Sequence, residues 1–162
     1  METFEYTLIS EYFRGMKNEK NDVPLINHID EGLKILNFIS ASDIAKRAFC
    51  LHPMLQSDED LVKNLFNNNF RQIDPPVLIT TMEYKRVANN YLSNRVIAHL
   101  GEIEISPLRD VNQMLIADKV QNYKDFELYY KNNIENSSDL IVYFNNWFKK
   151  LGIDYYFLKS KI

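Results

Sequence analysis

Apolar residues recur at three-to-four spacing along most of the chain, a period that predicts helix rather than strand. The clearest stretch runs over about 25–39, where Leu25, Ile26, Ile29, Leu33, Leu36 and Phe38 share mostly one face. Ser42 stands where an N-cap belongs, ahead of Ile44, Ala45, Ala48, Phe49 and Leu51. Pro53 disfavours α geometry at His52, so this helix is expected to end at the histidine. Ser57 followed by Asp58, Glu59 and Asp60 reads as a second cap with acids in the first turn, leading into Leu61, Leu65 and Phe66. Asp74-Pro75-Pro76 breaks the chain. Val77-Leu78-Ile79 then reads as a short extended piece, although no partner strand is evident, and a long helix is expected from about Thr80 to Leu100 with Gly101 as its stop.

Ser106-Pro107 pairs a cap with proline at the first helical position, and Val111, Leu115, Ile116 and Val120 form the face that follows. Asn132 to Ser138 reads as a polar linker. Leu140 to Leu151 is the last strong helix, ended by Gly152. Within it, Tyr143, Phe144, Trp147, Phe148 and Leu151 make a stripe expected to be buried. Tyr129-Tyr130 and Tyr155-Tyr156-Phe157 read first as core packing and second as an aromatic surface for a partner. No repeat or flexible linker divides the chain. The expectation is an all-α protein, one compact bundle of about seven or eight helices over residues 1–162.

Composition narrows the function classes. The chain has 162 residues, 46% apolar and 25% charged, which is ordinary for a globular domain. A net charge of −3 gives no general electrostatic grip on nucleic acid or anionic membrane, so neither is expected as a partner. No apolar run is long enough to span a bilayer and the start lacks a signal-peptide pattern, so the expected compartment is the cytoplasm. Cys50 is the single cysteine, which excludes an internal disulfide and a cysteine-cluster metal site. Four glycines and no phosphate-loop string argue against glycine-rich nucleotide cradles. The richness in asparagine, lysine, isoleucine and tyrosine is of the kind AT-rich genomes encode, as in many phages.

Candidate chemistry then rests on three residues in three predicted helices. His28 lies in Pro24-Leu25-Ile26-Asn27-His28, His52 in Phe49-Cys50-Leu51-His52-Pro53, and Asp118 in Ile116-Ala117-Asp118-Lys119. Two imidazoles and a carboxylate held by rigid elements can bind a divalent ion. Any one of them alone is more often a packing or surface residue. His99, near a predicted helix C-terminus where an imidazolium is favourable, is not read as catalytic.

The text around these residues resembles the HD-type metal phosphohydrolases, and in particular the small alarmone hydrolases of the RelA/SpoT type known as metazoan SpoT homologues. Pro24-Leu25-Ile26-Asn27-His28 is similar to their P-Y-I-N-H-P, and Phe49-Cys50-Leu51-His52 to the run leading into L-H-D. Ser106-Pro107, then Leu115-Ile116-Ala117-Asp118-Lys119-Val120-Gln121-Asn122-Tyr123-Lys124-Asp125, is similar to S-P followed by L-V-K-L-A-D-K-x-x-N-x-R-D. Tyr143-Phe144-Asn145-Asn146-Trp147 is similar to a terminal Y-F-x-W. The resemblance covers roughly residues 10–150 and implies an HD-like bundle, with His28, His52 and Asp118 as metal ligands for manganese or zinc. It also implies nucleotide contacts at Asn122 and Lys124, and more loosely at Lys20. Otherwise Lys20, Lys119 and Lys124 read as exposed helix faces.

The departures fall on the chemistry. Where the family has H-D-x-x-E-D this chain has His52-Pro53-Met54-Leu55-Gln56-Ser57, so three carboxylates are missing together. A glutamine cannot take a proton from water. Loss of a carboxylate ligand weakens manganese or magnesium most, while zinc tolerates two histidines, one carboxylate and water. The leading expectation is a catalytically impaired HD-like protein that binds a guanine-nucleotide-like ligand or a protein partner. The alternative is an active nucleotide phosphohydrolase in which Asp58 and Glu59 replace the lost acids. The third is a structural or inhibitory interaction protein.

Overall fold

Two helices form the interior on which the others pack, α3 (Asp43–Leu51) and α6 (Arg109–Asp125). Both are covered around most of their circumference, α3 mainly through apolar side chains and α6 through apolar and polar ones together. Ala45, Ala48, Phe49, Cys50 and Leu51 are buried on the first, and Val111, Met114, Leu115, Ala117, Val120 and Tyr123 on the second. Such helices reach water only at their ends, so other helices must cover them. The computed structural model describes residues 3–19, 21–66, 69–92, 100–131 and 137–162. The covering helices are α1 (Phe4–Tyr12), α2 (Ile26–Phe38), α4 (Asp58–Phe66), α5 (Pro75–Leu92), α7 (Ser137–Leu151) and α8 (Tyr155–Lys159). The described residues thus form eight α-helices and no strand, as the all-α expectation holds. None of these helices is long and apolar enough to cross a membrane.

Local chemistry sets the boundaries. Ser42 caps α3 by accepting from the Ala45 amide, and Ser57 caps α4 by accepting from the Asp60 amide at 2.9 Å. Gly152 takes φ +66°, a left-handed turn that costs glycine nothing, and ends α7. Helix α3 ends at Leu51, but His52 keeps right-handed helical angles despite the following proline. The chain tightens there into a 3-10 turn, His52–Leu55, whose first positions need no amide hydrogen from Pro53.

Three expectations are corrected. Val77, Leu78 and Ile79 are helical, because Asp74-Pro75-Pro76 starts α5 instead of interrupting it, with proline in the first turn. Ser106 and Pro107 precede α6 without capping it. The Ser106 hydroxyl accepts from the Leu108 amide in a turn, and the helix begins at Arg109. Ser137 and Ser138 belong to α7 rather than to a linker. Residues 93–99, over which a helix is expected to run on toward Gly101, lie outside the described residues, His99 among them, as do Lys20 and residues 132–136; Gly101 itself stands in a 3-10 turn, Leu100–Glu102.

The C-terminal aromatics divide as their positions dictate. Trp147, Tyr143, Phe144, Phe148 and Tyr155 are buried against α6, while Tyr156 and Phe157 face solvent. At the other side of the core, Gly32 of α2 lets Phe49 of α3 come close. A Cβ at residue 32 would lie 2.2 Å from the Phe49 ring. That close crossing brings the start of α2 and the end of α3 together, and His28 and His52 sit there.

Candidate metal centre

His28 stands in the first turn of α2, His52 at the C-cap of α3 and Asp118 in the middle of α6. Their ligand atoms all lie within 4.8 Å of one another. His28 Nε2 is 3.2 Å from His52 Nε2 and 3.7 Å from Asp118 Oδ1. The Phe49 ring stacks on His28 with centroids 5.5 Å apart and leans on His52 at 4.7 Å, so both imidazoles are held from one side. Tyr84 of α5 packs edge-on against His52 at 5.0 Å.

The donor set can be tested for a cation. His52 Nδ1 lies 2.6 Å from the Phe49 carbonyl oxygen, which only accepts, so Nδ1 carries the hydrogen and Nε2 a lone pair. Burial, with His28 beside it, pushes the His52 pKa down to about 3, so the ring stays neutral near pH 7. Burial alone would hinder ionisation of Asp118. The Lys119 ammonium outweighs it, with help from the two histidines, and the carboxyl falls to about 2. An ion bound at about 2.0–2.2 Å needs ligand atoms roughly 3.0–3.6 Å apart, and the two separations measured from His28 are close to that. The residues fit, and His28, His52 and Asp118 form a cluster able to hold a metal ion.

Asp118 is supported from two sides. Lys119 donates to Oδ2 at 3.0 Å and Asn122 donates to Oδ1 at 2.7 Å. Lys119 is itself buried, with its ammonium 5.2 Å from the Trp147 ring centre and 5.6 Å from that of Tyr143. The aromatic stripe of α7 therefore does more than close the core. It offers a cation–π seat to a buried lysine that neutralises the ligand carboxylate. The reading of Lys119 and Lys124 as exposed helix faces is corrected: the first is buried and the second is largely covered and ion-paired with Glu31 of α2.

A cavity of about 310 Å³ opens over the three residues. Pro53, Gln56 and Asn122 line it, together with Phe13, Leu25 and Tyr84. Asn122 lines the cavity, and Lys124 pairs with Glu31. Asp58 and Glu59 are in the exposed first turn of α4, where Asp58 pairs with Lys85 of α5. Neither joins the ligand cluster among the described residues.

Sequence reasoning missed Gln121, Glu31 and Asp125. Gln121 is fully buried with Oε1 2.5 Å from His28 Nδ1, and it also contacts Glu31 and Asp125. A helical signal was present, since Glu31 lies three residues after His28, Gln121 three after Asp118 and Asp125 four after Gln121. Polar residues at those spacings share the face of the ligand they follow. No protein-family model, curated protein or solved structure matches the chain.

Proposed function

We propose that this chain is an HD-like protein that holds a divalent ion, zinc before manganese, on His28, His52 and Asp118. We propose further that it uses the ion to bind a phosphorylated, guanine-nucleotide-like ligand without efficient hydrolysis. The observation that carries the reading is the convergence of two imidazoles and one carboxylate at the floor of a cavity where Asp118 is the sole lining carboxylate among the described residues. Lys119 already balances Asp118, so a divalent ion would leave the site positive and favour an anion such as phosphate. Ligand pockets commonly measure about 300–1,000 Å³, a range this cavity enters. A second cavity of about 160 Å³ shares Leu25, His28 and Asn122 with it and is lined by Asn18, Asn21 and Asn27. Amide groups there suit the mixed donor and acceptor edge of a base.

Impaired turnover follows from Pro53 and Gln56, which line the cavity where the resembled family has carboxylates. Neither residue can ligate as a carboxylate or accept a proton from water at neutral pH. One observation favours the hydrolytic alternative: three protein ligands leave a coordination position open, as in catalytic zinc sites.

Elemental analysis of the full chain, purified without chelator or histidine tag, tests the metal. Near-stoichiometric zinc, lost in His52→Ala, is the expected result. Zinc-dependent thermal stabilisation by guanosine tetraphosphate, with neither phosphate nor pyrophosphate released, completes the test. Absence of metal after incubation with excess zinc and manganese overturns the reading, and metal-dependent release of phosphate or pyrophosphate replaces it with the hydrolase.

A further inference from the structure

The ligand value of His28 depends on which ring nitrogen carries its hydrogen, and that choice lies with a residue outside the ligand set. His28 Nδ1 faces Gln121 Oε1 at 2.5 Å. On the far side of the same amide, Gln121 Nε2 lies 2.8 Å from Asp125 Oδ2 and 3.3 Å from Glu31 Oε2. Ionised carboxylates only accept, so Nε2 must donate to them. Turning the amide over would set its oxygen against both carboxylates inside a buried site, an arrangement with no hydrogen between acceptors. The amide is thereby locked with its oxygen toward His28. Lys124 pairs with Glu31 and lies 4.0 Å from Asp125 Oδ1, supplying the positive charge that lets two acids share one amide.

We infer that Gln121 is a positioning residue: held by Glu31, Asp125 and Lys124, it keeps His28 in the Nδ1–H tautomer and turns the His28 Nε2 lone pair toward His52 and Asp118. The hydrogen-bond relay stands on geometry alone, while its effect on affinity rests on the metal reading proposed above. It also assigns Lys124 a task different from a ligand contact. The lysine acts three hydrogen bonds away from His28, by stabilising the acids that orient the amide. Partners of this kind typically change metal affinity about 10–100-fold.

Nitrogen-15 NMR of histidine-labelled full chain, metal-free, reads the tautomer of His28, and a zinc competition titration reads affinity. The metal-free wild type is expected to show Nδ1–H at His28. Gln121→Met, close in shape but without the amide, is expected to shift the ring toward Nε2–H, where it can donate to Asp118, and to weaken zinc about 10–100-fold. Should that variant fail to fold, the double variant Glu31→Gln/Asp125→Asn keeps Gln121 but frees its amide to turn, and the same changes are expected in weaker form. A wild-type Nε2–H tautomer, or variants with unchanged tautomer and zinc affinity, overturns the inference. A wild type whose Nδ1–H tautomer is lost in Gln121→Met but which takes up no zinc supports the positioning role and overturns the metal reading.

Discussion

Helix α3 carries one buried polar cluster at Arg47 and borders another at His52, and the two are built on different principles. At Arg47 the donors and acceptors close on one another. Glu5 of α1 is fully buried and both its oxygens accept from Arg47, at 3.0 Å from Nε and 2.8 Å from Nη2, while Nη1 reaches Asp74 at 2.6 Å. That network joins α1, α3 and the start of α5, and all three guanidinium nitrogens are engaged by its own carboxylates. At His52 the polar atoms converge on a shared point facing a cavity, and two of them are imidazole nitrogens 3.2 Å apart. A closed network spends its hydrogen bonds on the fold, whereas an open one keeps them for something that arrives. Glu5 is as deeply buried as His52 and Asp118, so the burial of one charged group does not separate structural from functional polarity.

The sharpest way to break this contrast is to remove the centre of each cluster. Arg47→Met leaves Glu5 buried without its partner, and losing one member of a buried pair costs about 3–5 kcal/mol. Urea denaturation should register that loss, with zinc affinity of the remaining folded protein unchanged. A cost below about 1 kcal/mol would mean the closed cluster is not structural. His52→Ala is expected to weaken zinc by roughly 100-fold or more, because one of three ligands goes, while destabilising the metal-free protein less than Arg47→Met does. Competition titration against a chromogenic chelator measures it. Equal zinc affinity in both variants would erase the distinction.

Acid gives a smaller and graded effect on the metal-free protein. The His52 pKa falls from 6.5 in the unfolded chain to about 3 in the folded one, so below pH 6.5 the unfolded state takes up a proton that the native state refuses. Stability contributed by the neutral ring is full above 6.5 and is lost as pH falls toward 3. The slope is about 1.4 kcal/mol per pH unit for one proton. Asp118 adds the same sign lower down, its contribution being full above 3.8 and lost as pH falls through about 2. Denaturation midpoints of wild type and His52→Phe between pH 7 and 4 isolate the histidine, since the variant should lack its share of the slope. Parallel curves would contradict the buried neutral ring.

The smallest effect is expected from the acids of α4. Asp58→Ala/Glu59→Ala should leave zinc affinity and any phosphate release within about twofold, because both residues are exposed and Asp58 already pairs with Lys85. A large loss of turnover there would restore the relocated-acid hydrolase.

Much of the helical plan was legible because the apolar period and the caps are local properties. Ser42, Ser57 and Gly152 act within one turn of themselves, and each does what its type predicts. The same local logic failed at Val77-Leu78-Ile79, where two β-prone residues, Val77 and Ile79, follow a proline pair that starts a helix. Packing of Val77 into the core decides the matter. It failed again for Lys119, since nothing within a helical turn announces the Trp147 and Tyr143 rings that seat its charge.

By itself the sequence determined that three residues of metal-binding type would stand on three helices, and that no carboxylate follows His52 before Asp58. Residue type and short-range periodicity carry that information. Only the tertiary structure decided that Gly32 would let Phe49 draw His28 and His52 to 3.2 Å, that Lys119 would be buried beside Asp118, and that Gln121 would face His28. Those are contacts between positions far apart in the chain, and distance along a sequence holds no record of which side chains a packed core will bring together.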